Sequence, residues 1–476
     1  MTWISLAPEG LTLLMAAVFF SLSMAPKLGA KTNFLVAAFV SGLGVVVAVS
    51  ALRAQGLFFA DVYQLNLFSQ LFKVLLALGL FLVVCLCSEL RGIEERQHPE
   101  CYLLLSLSTL GTMMMVSSGE LLTLYVSLEL SSYSLYLLVA LRSGEGTHRE
   151  ASIKYLLTGA ATSALMLFGI ALFFGATSTT NLMVLQRVQA SATGGPLFLL
   201  GLLLTLSGFF FKLALFPFHI WAPTVYQGAP NQVAAYIATA TKAAAAAVLI
   251  RIVASAGESN PAFSRALVIL AITSMTFGNL VAIRQKDLKR LFAYSAVAHA
   301  GYILIGILST SQKGYAGAIF YAFAYPTMTY ACFLVVVKVA WDGGNVTLDG
   351  LAGLHRRSPL LAMTLLLGVF SLGGIPPTIG FTGKFLVFVA ALEKGLFYLV
   401  LIGMINVVVS LYYYALIVKA AYLTPPKETA GAVVLSPLMT GLTLVIALII
   451  IVGGLFPGQL YDLAIDAAKA LVLPGP

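Results

Sequence analysis

Apolar runs of about 20 residues, the length that carries a helix across roughly 30 Å of hydrocarbon, recur from one end of this chain to the other. Inside a bilayer every backbone N–H and C=O must find its partner within the protein, which leaves helices and closed barrels. The runs are continuous and do not alternate, as a lipid-facing barrel strand would, so strands are not expected and helices remain. Apolar length, turn residues and charges delimit fourteen spans: 4–23, 33–53, 66–90, 99–117, 119–141, 149–175, 197–228, 231–256, 262–284, 288–310, 315–341, 359–391, 395–421 and 431–455. The expectation is an all-α polytopic membrane protein. With 60% apolar and 9% charged residues, a soluble class is excluded.

The net charge of +9 is spread over short loops and forms no cluster like a nucleic-acid footprint, so it reads as topology. With the N-terminus outside, fourteen Lys and Arg fall on inner loops and seven on outer ones, among them Lys27, Lys427, Lys289, Arg187 and Arg251. The positive-inside rule therefore puts both termini on the outer side. The first span begins close to Met1 without a basic flank and is expected to be retained as a helix. Cys85, Cys87, Cys101 and Cys332 match no metal-binding spacing, so packing is their expected role and no metal is expected.

The remaining six lysines, Lys73, Lys154, Lys212, Lys242, Lys338 and Lys384, lie within spans. At ~3 kcal/mol for each lysine at mid-membrane, six independent ones would cost on the order of 15–20 kcal/mol, which a purely structural protein would avoid. Lys73, Lys154 and Lys338 lie near span ends, where a long stem can snorkel to the interface. Lys242, eleven residues into its span, has no such escape, and Lys212 is similar.

Two spans are too long for one straight crossing, and both contain helix breakers: Pro217 and Pro223 in 197–228, and the stretch GGIPP with Pro376 and Pro377 in 359–391. Backbone that leaves the helix at membrane depth must be buried in protein or line a water-filled cavity. Lys212 precedes the first break and Lys384 follows the second. Paired interrupted helices point to an ion site in transporters built from repeats. If spans 4–8 and 9–13 are two five-helix repeats, each broken span is fourth of five, and the odd number inverts the second unit. The expected division is 1–98 as a three-helix segment, 99–256 and 262–421 as the repeats, and 431–476 as the last span and a tail. Proline kinks that only shape packing are the competing reading.

Glu129, in LYVSLELSSYSLY, is read as the only acid well inside a span. Beside an ammonium it can stay ionised, which makes Glu129 and Lys212 a candidate pair; a static bridge between two helices is the alternative. His299 can pass a proton between its ring nitrogens or can be a satisfied core histidine. His219, inside the first break, either holds the broken backbone or relays protons, while His98, His148 and His355 read as solvated loop residues. In span order Glu129, Lys154, Lys212, Lys242, His299, Lys338 and Lys384 form the kind of chain that a proton relay needs.

Three stretches, FFKLALFPFHIWAPTVYQGAP (210–230), DLKRLFAYSAVAHAGYILIG (287–306) and GGIPPTIGFTGKFLVF (373–388), resemble the antiporter-like membrane subunits of NADH:quinone oxidoreductase, respiratory complex I. The VYQGAP segment is most similar to the subunit N branch of that family. The resemblance covers roughly residues 60–456 and implies proton translocation through two linked half-channels. It places Glu129 and Lys212 as the charged pair, Lys154 on the sixth helix, Lys242 at the centre, His299 on the motif histidine and Lys384 on the exit route. Lys338 and His219 are secondary. Where the family commonly has a proline after QGAP, this chain has Asn231 and Gln232, so the start of the eighth helix is expected to differ in shape. The resemblance further implies a non-redox subunit of a translocating enzyme in a bacterial inner membrane, beside other complex I membrane subunits and the lipid bilayer. No cofactor is expected in this chain; NADH, flavin, iron–sulfur clusters and quinone are expected in partner subunits. A cation/proton antiporter or hydrogenase-linked relative is the alternative.

Overall fold

The computed structural model describes residues 3–24, 29–59, 61–144, 147–182, 195–256, 261–340, 342–426 and 431–471. The first six spans are Ala7–Met24 (α1), Ala30–Ser50 (α2), Leu67–Leu86 (α3), His98–Ser117 (α4), Leu121–Ala140 (α5) and Thr147–Thr177 (α6). The seventh is split into Pro196–Leu213 (α7) and Trp221–Gly228 (α8), and the eighth into Asn231–Ala238 (α9) and Ala240–Ala256 (α10). Pro261–Ala282 (α11), Leu288–Leu308 (α12) and Gln312–Val339 (α13) follow. The twelfth span is again split, into Pro359–Gly373 (α14) and Ile379–Glu393 (α15), before Phe397–Tyr422 (α16) and Pro437–Leu455 (α17). Among the described residues, thirteen segments are long and apolar enough to cross a membrane, and the split twelfth span completes fourteen.

Local chemistry sets many of the helix starts. Asn66 and Ser69 form a reciprocal capping box, Asp287 accepts from the Arg290 N–H, and Ser311 and Ser436 cap α13 and α17. Pro196, Pro359 and Pro437 open their helices where a missing N–H costs nothing. Small residues then let helices approach: a methyl group on Gly278 would come within 2.7 Å of the Tyr294 carbonyl, and one on Gly301 within 2.8 Å of the Ala271 carbonyl. These two glycines hold α11 against α12. The centre of the bundle is the eighth, tenth and eleventh spans, 100%, 94% and 89% buried over their most apolar stretch, whereas α2 is only 22% buried within the chain.

Contacts between loops verify the alternation of fourteen crossings. Backbone bridges pair Tyr63 with Ser118 and Glu120 with Asn181 on one face, and Ile93 with Arg142 and Asp287 with Thr347 on the other. On the first face Lys313 pairs with Glu393 at 2.9 Å, and Asn66 donates to the Ala470 carbonyl at 3.1 Å. Both described ends of the chain lie there, and we call it the terminal face.

Several expectations are corrected. A short hairpin, Gly56–Phe58 (β1) with Tyr63–Leu65 (β2), lies on the terminal face although no strand was expected. The segment read as a tail contains an amphipathic helix, Gly458–Lys469 (α18), whose Ala464, Ala467 and Ala468 are buried; it is too short to register as a span. The eighth span is interrupted at Thr239 (φ −117°, ψ −85°). At its start Asn231 donates to the Gly344 carbonyl at 3.0 Å and Gln232 to that of Glu89 at 3.3 Å, tying the departed motif to neighbouring loops. His98, Lys289 and Arg251, read as loop residues, are buried, while Lys27, Arg187, Lys427 and residues 472–476 lie outside the described residues. The four cysteines are buried and free.

Candidate functional site

The two long breaks are built alike. The helix α7 ends in Ala214 with φ 61°, and α14 ends in Gly374 with φ 78°. In each case the chain closes the helix with paired bonds: Ala214 N–H to Phe211 O and Leu215 N–H to Phe210 O, matched by Gly374 to Ser371 and Ile375 to Phe370. Proline then removes a donor. In a continuing helix the Leu213 carbonyl would accept from residue 217 and the Leu372 carbonyl from residue 376, and both positions are proline. A lysine takes the place of the missing N–H. The Lys242 ammonium donates to Leu213 O at 2.7 Å and the Lys384 ammonium to Leu372 O at 2.7 Å. Both lysines are buried, 2% and 3% exposed, and each sits at a helix C-terminus, whose partial negative charge favours a cation. The peptide bonds Phe216–Pro217 and Pro376–Pro377 are cis.

Since α7 runs inward from the terminal face and α14 from the opposite face, these two carbonyl ends point into the bundle from opposite sides. Trp221, the first residue of α8, bridges its break by donating Nε1–H to Phe211 O at 2.9 Å, and Ser274 accepts from the Phe216 N–H at 2.9 Å. Trp221→Phe is expected to remove about 1 kcal/mol of stability through that lost hydrogen bond, read as a lower thermal midpoint in detergent. His219 is buried against Phe216 and Phe277, in a position that supports the broken backbone.

Around this frame lie the other titratable groups. The Lys212 ammonium donates to Ser131 Oγ at 2.8 Å and Ser132 Oγ at 3.2 Å, both on α5, and Ser131 bonds Ser108 at 3.0 Å. Glu129 accepts from the Ser163 hydroxyl of α6. The direct Glu129–Lys212 bridge is therefore absent: serines satisfy both charges, which remain within coulombic reach. His299 is held by two phenols, Tyr321 at Nδ1 (2.6 Å) and Tyr414 at Nε2 (3.2 Å), and Tyr414 bonds Ser295 at 2.6 Å. It lies within coulombic range of both Lys242 and Lys384. The Lys384 ammonium is 4.8 Å from the Tyr302 ring centre, and that ring packs edge-on against His299.

Glu129, Lys212, Lys242, His299 and Lys384 are thus brought together; three other lysines are not. Lys154 is half-exposed and paired with Glu150 one turn back on α6, away from the buried set. Lys338 pairs with Glu89 at 3.5 Å. Lys73 is fully buried and paired with Glu9 at 2.5 Å, so it does not snorkel, and Glu9 is a second acid inside a span. The partners Ser131, Ser132, Ser163, Tyr321 and Tyr414 were not anticipated. Ser131 and Ser132 stand out as polar residues within an apolar run (ELSSYS, 129–134), but nothing in the spacing marks Ser163 or the tyrosines.

A helical membrane bundle in which buried lysines cap the carbonyl ends of two oppositely directed broken helices is an antiporter-like membrane subunit. The family described as NADH:quinone oxidoreductase/Mrp antiporter, TM, matches residues 118–410, and the chain belongs to it. It is 54% identical over 472 residues to NADH-quinone oxidoreductase subunit N 2 of Syntrophobacter fumaroxidans, covering 99% of this chain and 100% of that one. A chain of respiratory complex I from Thermus thermophilus superposes with a TM-score of 0.84 at 32% identity, covering 96% of this chain and 99% of that one. A chain of the Mrp complex from Dietzia shares the fold, with a TM-score of 0.88 at 22% identity over 100% and 98% of the two chains.

Proposed function

We propose that this chain is a proton-translocating membrane subunit of an NADH:quinone oxidoreductase, of the subunit N type. The observation that carries the reading is the matched pair of lysines, Lys242 and Lys384, each docked on the carbonyl that a proline leaves without its helical donor. An ammonium held there can lose its proton without the carbonyl being left dry if water takes its place, so the site can cycle between charged and neutral. The proposed units are residues 99–256 and 262–421, inverted with respect to one another, with 1–98 and 431–476 flanking them.

In this reading a charge rearrangement arriving from a neighbouring subunit moves Glu129 and Lys212 apart or together. Opening that pair strengthens the repulsion between Lys212 and Lys242, and Lys242 gives up its proton. His299 accepts it and passes it to Lys384, from which it leaves on the terminal face, the outer side of a bacterial inner membrane. Lys154, Lys338 and His219 are secondary: Lys154 and Lys338 stand at loop-side helix ends, where protons are taken up, and His219 supports the break. Moving one proton against ~200 mV requires about 4–5 kcal/mol. That energy comes from redox chemistry in partner subunits, which carry the NADH, flavin, iron–sulfur and quinone sites, and this chain acts as a non-redox part of the enzyme beside other membrane subunits.

The Mrp-type likeness keeps one alternative, a cation/proton antiporter subunit. Mass spectrometry of the assembly purified in mild detergent separates the two. NADH- and quinone-handling subunits are the expected partners, and an assembly of antiporter subunits alone would overturn the redox-driven reading.

A further inference from the structure

We propose that Glu9, Tyr63, Lys73 and Arg251 form a second buried proton-exchange site on the terminal face, one that makes the three-helix segment part of the transport machinery. The inference rests on the proton-translocating reading above. Lys73 on α3 has a fully buried side chain whose ammonium lies 2.5 Å from Glu9 Oε1 on α1, and the same oxygen accepts the Tyr63 hydroxyl of β2. The ammonium is 5.3 Å from the Tyr63 ring centre. Arg251, near the end of α10, is buried and within coulombic range of both Lys73 and Tyr63; it donates to the Ser118 carbonyl at 3.0 Å. Three helices and the hairpin thus contribute two cations, one carboxylate and a phenol to the cluster.

A static staple would not be built this way. A buried ion pair confers little stability over well-packed apolar side chains, and it is favoured only when the remaining polar atoms are also satisfied. Here they are not. Glu9 Oε2, Gln70 Oε1 and Arg251 Nη2 are buried without a hydrogen-bond partner among the described residues, two acceptors and one donor. Gln70 lies one turn before Lys73 on the same helix. Water, which both donates and accepts, suits such a mixed set, and buried polar groups of native proteins nearly always find a partner.

Its position suits proton exchange. Glu9 is in the first turn of α1 and Tyr63 in the hairpin, so the site adjoins the terminal face. Arg251 is nine residues beyond Lys242 on α10, about 13 Å along the helix axis. In the proposed step the Lys73 ammonium passes its proton to the Glu9 carboxylate, leaving a neutral amine and a neutral acid. The acid releases the proton to water on the terminal face, and the amine is recharged from the Lys242 side. No electron moves, and the Arg251 guanidinium favours the transfer by repelling the ammonium.

The test uses the intact complex in sealed vesicles, with protons moved per electron as the readout, in Glu9→Gln, Lys73→Arg and Lys242→Ala variants. Arginine keeps the charge and the ion pair but does not release its proton. A staple predicts a normal ratio for Lys73→Arg; the proposal predicts a lowered one, with Glu9→Gln behaving alike. Should Glu9→Gln fail to assemble, Lys73→Arg alone decides. A normal ratio in Lys73→Arg with a lowered one in Lys242→Ala overturns the proposal and leaves the function standing. A normal ratio in both removes the functional reading and this site with it.

Discussion

Replacing Lys242 with alanine will give a complex that assembles and oxidises NADH but moves fewer protons per electron. The assembly half of this expectation follows from the helix end that Lys242 serves. Closure of α7 rests on the bonds from Ala214 and Leu215, which the substitution leaves in place. What is lost is the 2.7 Å contact to Leu213 O, and an unpaired buried carbonyl costs about 1–3 kcal/mol. Removing an ammonium from the wholly buried centre of the bundle offsets part of that. The pumping half follows from position. Lys242 caps the carbonyl of the residue next to Lys212 and lies within coulombic range of His299, so in the proposed relay it joins the Glu129–Lys212 side to the His299–Lys384 side. Without it the proposed relay loses its titratable link between the two halves. Acidification of vesicles measured against NADH consumption reads the result, and an unchanged ratio would remove Lys242 from the relay.

The spans are legible from the sequence because their signal is additive: twenty apolar residues announce themselves whatever they pack against. The breaks are legible for a related reason, since Pro217, Pro376 and Pro377 act on their own backbone and need no neighbour. What the prolines do for function is not legible in the same way. That Leu213 and Leu372 lose their donors can be counted along the chain, but that Lys242 and Lys384 replace them depends on which helix lies alongside. The same limit explains the misreadings. Lys73 and Lys154 are both near span ends, yet one is buried against Glu9 of another helix and the other half-exposed against Glu150 of its own, a difference that depends on which side chains a neighbouring helix brings. Glu129 and Lys212 lie within coulombic reach of one another, but the serines that satisfy them come from two helices, and no spacing rule connects Ser131 and Ser132 with Ser163. The hairpin and α18 were missed because a few alternating residues, or one short amphipathic helix, carry too little periodicity beside fourteen apolar runs.

Gly374→Ala will lower proton translocation about as far as Lys384→Ala, although residue 374 titrates nothing. Two effects combine at this position. The backbone has φ 78°, where a side chain costs about 1–2 kcal/mol. A methyl group there would also lie 2.9 Å from Lys384 Cδ and 3.4 Å from its Nζ. A free lysine would swing away from such a contact at little cost. Lys384 is not free: its ammonium is fixed on Leu372 O and faces the Tyr302 ring, so yielding to the methyl means leaving that carbonyl. The other break supplies the control. Ala214 holds the same left-handed conformation at φ 61° with its methyl in place, and Lys242 reaches Leu213 from a different span, whereas Lys384 comes from the same broken span as Leu372, so a side chain is compatible with the first closure. Ala214→Gly is therefore expected to keep its proton-to-electron ratio, while Gly374→Ala loses both that ratio and some thermal stability. If Gly374→Ala pumps normally, the placement of the Lys384 amine on the broken helix is irrelevant to transport, and the matched geometry of the two breaks is packing alone.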